Sequence, residues 1–369
     1  NNADELSLNM TKVTIVTEDN AEIQDRVRTS TGFTTPELSV LLAYSKMILD
    51  RQLLTSDIVN SDEFLELLLN YFPAYLRNNY VKYIKNHYLK KEIIANQLAN
   101  LVVNRMGITF ISRFEDEFHL SSANIVVAFW VAYKLLDAEN IFSEIEKLDN
   151  LVDANLQIEM IIRFKKSLER LTRWILRKFQ DKISVPDLLS TYTKSVYQVM
   201  YSIDKILESA EHPEIRNIED KLLNAKVPHD LSIVIARSNN LPQLLDIAIL
   251  SHNIQYDIIT VANNYFYIGK ILHMDWLRKN LIALPENNKW QALSRSALLF
   301  DYYSLYSYFV ENAIKLNDNN LDTNFAANWI KKHPEKVSKI NAMLEELMTY
   351  KQIDLAMLSA VIRELYSLR

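Results

Sequence analysis

The sequence predicts an all-α protein, and three observations support this fold class. Only three glycines and eight prolines occur in 369 residues, whereas glycine alone makes up about 7% of an average protein. Hydrophobic residues account for 49% of the chain. They recur mostly every three or four positions, the period of a helix that packs on one side. We expect a multi-helix bundle, in one body or in two packed helical subdomains.

The first predicted element is an extended N-terminal arm, residues 1–32. These residues are polar and aperiodic except for 12–17, where apolar and polar side chains alternate with the period of a strand. A segment this short does not form a sheet alone. We expect the arm to lie on the helical part or to pair with another copy.

Residues 33–210 are expected to form the first helical subdomain. At its start Thr35 can cap a helix, Pro36 suits the first helical position and Glu37 favours the positive helix end. The clearest amphipathic helix spans residues 153–181. Its apolar stripe consists of Leu156, Met160, Phe164, Leu168, Leu171 and Ile175.

Residues 211–369 are expected to form the second helical subdomain. Between residues 208 and 230 the helical pattern weakens, and Pro213 and Pro228 interrupt it. Beyond this point short helices alternate with brief turns, which favours antiparallel neighbours. Several aromatic residues at helical spacing are predicted to be core or subdomain-interface rings. They are Phe129, Trp130, Tyr133, Tyr302, Tyr303, Tyr306, Tyr308 and Phe309.

The composition excludes several kinds of cofactor site. A dinucleotide-binding fingerprint needs three glycines within six residues, and a phosphate loop needs two that are five apart. Gly32, Gly107 and Gly269 are too far apart for either. The chain has no cysteine, so it forms no disulfide, thiolate nucleophile or iron–sulfur site. We predict no cofactor-binding residue here.

No histidine has a convincing second metal ligand. Asp116 and His119 are three residues apart on a possible helix, but a di-iron bundle needs two Glu-x-x-His pairs and two further glutamates. His229 and Asp230 form a dipeptide like that of helical phosphohydrolases, yet the other ligands have no match, and Asp230 more plausibly caps the next helix. Serine, histidine and aspartate are scattered without a nucleophile elbow. We therefore predict no metal-binding and no catalytic residue.

One basic helix face is the candidate partner-contact site. Eight basic and two acidic residues lie between Arg163 and Lys182. The face can be a solvated surface whose long side chains cover apolar neighbours, or it can dock onto an acidic domain or subunit. Nucleic acid and anionic lipid are disfavoured, because the formal charge is −5 and the pI about 5.9. The residues of the predicted contact face are Arg163, Lys166, Arg170, Arg173 and Arg177.

The sequence also allows predictions about where in the cell the protein is located. No apolar run of about 18 residues occurs, so we expect no membrane span and no membrane partner. The polar and acidic opening of the chain is unlike a secretory signal, and a cytoplasmic location is expected. Because the first residue is Asn1, we expect the chain to be a piece of a longer polypeptide.

Several segments share their order and spacing with one enzyme family. They are residues 36–46, 71–73, 91–100, 103–107, 148–150, 171–174, 275–278, 283–285, 289–293, 354–359 and 363–365. Together they resemble the C-terminal region of the large-subunit bacterial NAD-specific glutamate dehydrogenases. Lys90, Lys91 and Asn96 depart from the family pattern but keep charge and polarity.

The resemblance implies a role inside a larger enzyme. Members of this family oxidise L-glutamate to 2-oxoglutarate and ammonia with NAD, and their catalytic part precedes the region present here. No catalytic or cofactor residue can therefore be transferred to this chain. The resemblance implies that the partners are the catalytic domain of the same polypeptide and further copies in a homo-oligomer.

Two other hypotheses about the function stay open. One is a free-standing interaction module that binds an acidic partner or nucleic acid through the basic helix at 163–182. The other is an all-α enzyme with an apolar pocket lined by the aromatic helices. A deep cavity with converging polar groups and a strongly perturbed acid would favour the enzyme, and a solid core would oppose it.

Overall fold

The computed structural model describes residues 25–26, 28–29, 32–180, 182–206, 213–285, 288–316 and 325–369. Throughout these ranges the regular structure is α-helical with three short 3₁₀ turns, and no strand occurs in them. The predicted all-α class is confirmed. The expected arm at 1–32 and its strand-like segment at 12–17 lie almost wholly outside the described residues.

Nineteen α-helices are found in the described part of the chain, and they are numbered here in chain order. The first nine are α1 Thr35–Leu54, α2 Leu65–Tyr71, α3 Ala74–Asn79, α4 Val81–Lys85, α5 Lys90–Met106, α6 Phe110–Phe118, α7 Ser122–Leu135, α8 Ala138–Glu146 and α9 Ala154–Phe179. The remaining ten are α10 Val185–Ile206, α11 Pro213–Asn224, α12 His229–Arg237, α13 Leu241–Ile254, α14 Ile258–Ile271, α15 Met274–Ala283, α16 Lys289–Lys315, α17 Phe325–Lys332, α18 Pro334–Met348 and α19 Leu355–Tyr366.

The described helices divide into two compact units. The first contains the residues up to Tyr133 together with Lys178–Pro186, and the second contains Lys134–Arg177 and Asp187–Arg369. The boundary predicted near residue 210 falls among residues 207–212, which lie outside the described part. The neighbouring helices on either side, α10 and α11, lie largely or wholly in the second unit.

The first unit is organised around α5. Helices α1 and α2 both pack on it, and eight of the 17 residues of α5 are buried. The start of α1 lies one residue before the predicted position: Thr34 is the cap, and its backbone N–H and hydroxyl donate to Glu37 Oε2 at 2.6 and 2.8 Å. These two hydrogen bonds lower the pKa of Glu37. The buried residues of α5 are Ile93, Ile94, Ala95, Leu98, Ala99, Val102, Val103 and Met106.

The second unit is organised around α16. Five helices, α13, α14, α15, α17 and α19, pack on this 27-residue helix. The Asn264 side chain of α14 accepts a hydrogen bond of 2.8 Å from the Ala326 backbone and so satisfies a donor in the first turn of α17. The buried aliphatic and aromatic residues of α16 are Tyr302, Leu305, Tyr306, Phe309, Val310, Ala313 and Ile314.

The predicted aromatic core is confirmed for most of its rings. Phe129, Trp130 and Tyr133 are buried in the first unit. In the second unit, Tyr303 and Tyr308 are only half-buried, and the other predicted rings of α16 are in its core. Asp230, expected to cap a helix, instead lies in the first turn of α12, whose cap is Pro228.

A close contact joins α14 and α16 at Gly269. A helical side chain covers the turn that precedes its own Cα, so a side chain at position 269 would lie over the carbonyl of Tyr265. Gly269 leaves that carbonyl open, and the Tyr306 hydroxyl donates to it at 2.8 Å. The two tyrosine rings stack with centroids 3.8 Å apart. A Cβ atom at position 269 would be 1.9 Å from the Tyr306 oxygen.

We expect Gly269→Ala to destabilise the protein. Alanine normally stabilises a helix interior by about 1 kcal/mol relative to glycine, but here it must displace a buried ring, and overpacking costs about 1–3 kcal/mol. The free energy of unfolding, measured by urea denaturation and circular dichroism, should therefore fall.

Gly32→Ala is the matched control, because nothing lies within 4 Å of a Cβ placed there. It should change stability by less than about 0.5 kcal/mol. Adding Tyr306→Phe to Gly269→Ala should recover part of the loss, since it removes the atom nearest the new methyl group. An unchanged or raised stability for Gly269→Ala would contradict the contact.

Candidate functional site

The basic helix face lies on α9, whose inner side forms part of the core. Asp153 starts the helix by accepting hydrogen bonds from the Asn155 and Leu156 backbone N–H groups at 2.9 and 3.3 Å. All six residues of the predicted apolar stripe are buried. The predicted amphipathic helix is thus confirmed over Ala154–Phe179, and its basic residues are held on the flanks and the outer side.

Arg163 connects α9 to the end of α12. Its Nε and Nη2 atoms donate to the carbonyl oxygens of Ile235 and Ala236 at 3.0 and 3.3 Å. The last carbonyls of a helix have no partner within the helix and carry partial negative charge, so a guanidinium at this position stabilises the helix end. Arg163 therefore has a structural partner inside the second unit.

The next basic residues of the face are also engaged within the chain. Arg173 pairs with Glu169 at 3.2 Å, with 19% and 15% of the two side chains exposed. Arg177 donates to the Ser296 hydroxyl at 2.5 Å, and its guanidinium lies 5.4 Å from the centre of the Phe300 ring. Both contacts of Arg177 connect α9 to α16.

Arg170 and Lys166 differ in their exposure. Arg170 is half-buried, and this burial lowers the pKa of its guanidinium. Lys166, one turn earlier, is exposed. Of the five residues of the predicted contact face, Arg163 and Arg177 thus bind neighbouring helices, Arg173 pairs within α9, Arg170 is half-buried and Lys166 is exposed. Their role as a partner-contact face stays a prediction.

An open groove of about 440 Å³ runs along the solvent side of α9. It combines apolar and basic side chains: Ile158 and Ile162 are 53% and 45% exposed, and basic residues lie next to them. At one edge Glu159 forms an ion pair with Lys221 of α11, whose Nζ atom lies 2.5 Å from Glu159 Oε2. The lining residues are Asn155, Ile158, Glu159, Ile162, Arg163, Lys166 and Arg170.

The two isoleucines are the part of this surface that the sequence analysis missed. They lie off the buried stripe of α9, at positions where an amphipathic helix normally carries polar residues. That displacement was visible in the sequence and is the signal that could have identified them. The two exposed isoleucines and the neighbouring cations form a mixed apolar and basic surface.

Three buried tyrosines of the second unit, Tyr265, Tyr302 and Tyr306, have pKa values shifted away from neutral pH. A tyrosine that exchanges protons at pH 7 needs a pKa lowered towards that value. Burial instead raises the pKa values of Tyr265, Tyr302 and Tyr306 well above the ordinary range. These phenols keep their protons, and their ring contacts are those of a packed core.

Asp275 and Arg278 form a partly buried ion pair in the second unit, with 31% and 9% of their side chains exposed. Burial alone would raise the pKa of Asp275, but the charge of Arg278 and hydrogen bonds from Arg278 and Lys279 outweigh it and lower that pKa. Arg278 Nη2 donates to Asp275 Oδ1 at 2.8 Å, and Lys279 Nζ lies 3.0 Å from Oδ2. The carboxylate stays ionised at neutral pH and neutralises the buried guanidinium.

Neither a metal centre nor a bilayer-spanning helix is found in the described residues. Asp116 lies in α6 and His119 follows it in a left-handed conformation with φ of 54°, and they are not part of any group of three His, Asp or Glu side chains able to hold a metal there. Within the same ranges, no helix is both long enough and apolar enough to cross a bilayer.

Comparison with known proteins identifies the region. Residues 30–367 match the family described as glutamate dehydrogenase, C-terminal. The NAD-specific glutamate dehydrogenase of Pseudomonas aeruginosa is 29% identical over 348 residues, which cover 94% of this chain and 22% of that enzyme. The enzymes of the same name from Halomonas elongata and Mycobacterium tuberculosis are 26% and 24% identical, over 94% and 93% of this chain.

The chain spans about a fifth of the length of these curated relatives. The match runs through all the described helices from α1 to α19, so it covers both compact units. The family resemblance seen in the sequence is confirmed. The chain therefore belongs to the glutamate dehydrogenase C-terminal family.

Proposed function

We propose that this chain is the non-catalytic helical region of an NAD-dependent glutamate dehydrogenase. The observation that carries the proposal is the match to a C-terminal family region that makes up about a fifth of relatives named NAD-specific glutamate dehydrogenases. The parent polypeptide would convert L-glutamate, water and NAD⁺ to 2-oxoglutarate, ammonium, NADH and a proton. The dinucleotide and the reacting carbon would both be bound outside this region.

The residues of the chain support the proposal that cofactor binding and catalysis take place outside this region. Binding a pyrophosphate requires backbone that approaches it closely, which usually depends on clustered glycines, and the three glycines here are isolated. The buried tyrosines keep their protons, and the half-buried Asp275 is paired with Arg278 and Lys279. These groups stabilise helices and are not poised for proton transfer.

The region would act by docking. The groove on α9 presents the apolar Ile158 and Ile162 beside Lys166, which suits a protein surface with carboxylates around an apolar centre. We propose the catalytic part of the same polypeptide as its occupant, within a cytoplasmic homo-oligomer. Docking there would fix the geometry of the oligomer or transmit a regulatory state.

The isolated chain should not catalyse glutamate oxidation. With L-glutamate and NAD⁺, NADH formation followed at 340 nm should stay at the rate of the buffer alone, because the dinucleotide and the reacting carbon would be bound outside this region. A full-length dehydrogenase of the family, assayed in parallel, serves as the control. Turnover by the isolated chain comparable to that control would refute the proposal.

Docking through α9 should protect Lys166 from chemical modification. In the full-length polypeptide we expect Lys166 to be acetylated about tenfold more slowly than in the isolated chain, because an interface excludes reagent and water from its centre. Peptide mass spectrometry measures both rates. Lys194 of α10 is also exposed and is the matched control, with similar rates expected in the two samples.

Equal acetylation of Lys166 in both samples would rule out this docking face. The free-standing alternative has its own readout: salt-dependent retention of DNA or RNA by the isolated chain, lost in Lys166→Glu and kept in Lys194→Glu. Lys166 is preferred to Arg163 or Arg177 for this test, because those two hold neighbouring helices together and their replacement would alter the fold.

A further inference from the structure

Three short helices of the first unit present an unusual number of tyrosines to solvent. Helices α2, α3 and α4 pack against one another, and Arg77 of α3 donates to the Asn70 side chain of α2 at 2.7 Å. The exposed rings on and next to these helices are here called the tyrosine patch. Its members are Tyr71 (55% exposed), Tyr75 (69%), Tyr80 (43%), Tyr83 (75%) and Tyr88 (95%).

Three rings of the patch lie in a contiguous row. Tyr80 lies between Tyr75 and Tyr83, with centroid distances of 6.3 and 6.1 Å. Phe72 likewise lies between Tyr71 and His87, at 5.4 Å from each. Most of the surface of Tyr75 and Tyr83 is nevertheless exposed, at 69% and 75%. The patch therefore offers apolar area to a partner.

The charge around the patch has a single sign. Between residues 67 and 91 the chain carries five basic and no acidic residues. Lys82 and Lys85 are exposed beside Tyr83 on the same short helix, α4. In a chain whose net charge is −5, such a segment attracts a partner that carries carboxylates or phosphates.

We propose that the tyrosine patch docks onto a carboxylate-bearing protein surface in the part of the parent polypeptide outside this chain. The inference rests on the proposed function, since about four-fifths of the length of the relatives lies outside the matched region. Tyrosines form the buried centre of this interface, as is common where proteins meet. Lys82 and Lys85 pair with carboxylates at its rim.

The geometry of the rings favours a protein over a single-stranded nucleic acid. Bases stack on flat ring faces that a groove presents in succession. Here the Tyr75–Tyr80 and Tyr80–Tyr83 planes are tilted by 56° and 59°, so the rings cover parts of each other's faces. Side chains of a protein partner can fill the angles between such rings, whereas a stacked base needs a parallel surface.

Tyrosine footprinting tests the proposal in the full-length polypeptide. Hydroxyl-radical labelling of Tyr75 and Tyr83 should be about tenfold lower there than in the isolated chain, as for rings that pass from an exposed surface to an interface core. Tyr350 and Trp290, which are 48% and 76% exposed in the second unit, are the controls and should be labelled alike in both samples.

Zero-length carbodiimide cross-linking identifies the partner. It should join Lys82 or Lys85 to Asp or Glu residues outside the region that corresponds to this chain. The double variant Tyr75→Ser/Tyr83→Ser should abolish these cross-links while leaving the helical circular dichroism unchanged, since both rings are mostly exposed. Tyr350→Ser is the matched variant and should leave them intact.

Equal labelling of Tyr75 and Tyr83 in the two samples would overturn the proposal. So would binding of an oligothymidylate that requires these rings, or protection of the rings in the isolated chain as its concentration rises, which would indicate a nucleic acid or a second copy. The proposed function fails separately, through turnover by the isolated chain. Loss of Lys166 protection alone would remove the α9 docking face and leave the tyrosine patch standing.

Discussion

The second unit depends on the close approach of α14 and α16 at Gly269. Because position 269 has no side chain, the Tyr306 hydroxyl reaches a helix carbonyl and the Tyr265 and Tyr306 rings stack at 3.8 Å. This contact fixes how α16 lies against α14, and four other helices pack on the same α16. With few glycines available, the packing of a whole unit relies on one position where a methyl group would not fit.

Two arginines of α9 each make several contacts with a neighbouring helix. A guanidinium has five donors in a fixed plane, so one side chain can satisfy carbonyls at the end of a neighbouring helix while its stem covers apolar surface. Arg163 does this for α12, and Arg177 binds a hydroxyl and a ring on α16. Basic residues of a helix can therefore serve contacts within the chain. Only the cations that remain exposed, such as Lys166, are candidates for contact with a partner.

The sequence predicted the helices well, because helical periodicity is local. It predicted the partners of their side chains poorly, because those contacts join residues far apart in the chain. The stripe from Leu156 to Ile175 is a local property, because a helix turns every 3.6 residues whatever it packs against. The start of α1 was placed one residue late, since Thr34 and Thr35 are both capping residues and only the Glu37 contact distinguishes them. The contacts of Arg163 and Arg177 span 72 and 119 residues, a distance at which periodicity carries no information. The need for Gly269 is equally non-local, because it follows from the position of Tyr306.

Positive charge is concentrated in two segments of the chain. The segments 67–91 and 163–182 are both strongly basic, so the rest of the chain is more acidic than the net charge of −5 suggests. Separated charge of this kind orients a protein as it approaches a partner and penalises the wrong faces through repulsion. The adjacent apolar groups, Ile158 and Ile162 on α9 and the rings of the tyrosine patch, then supply the short-range contact area. Long-range charge would thus select which face meets a partner, and apolar contact would hold the two surfaces together.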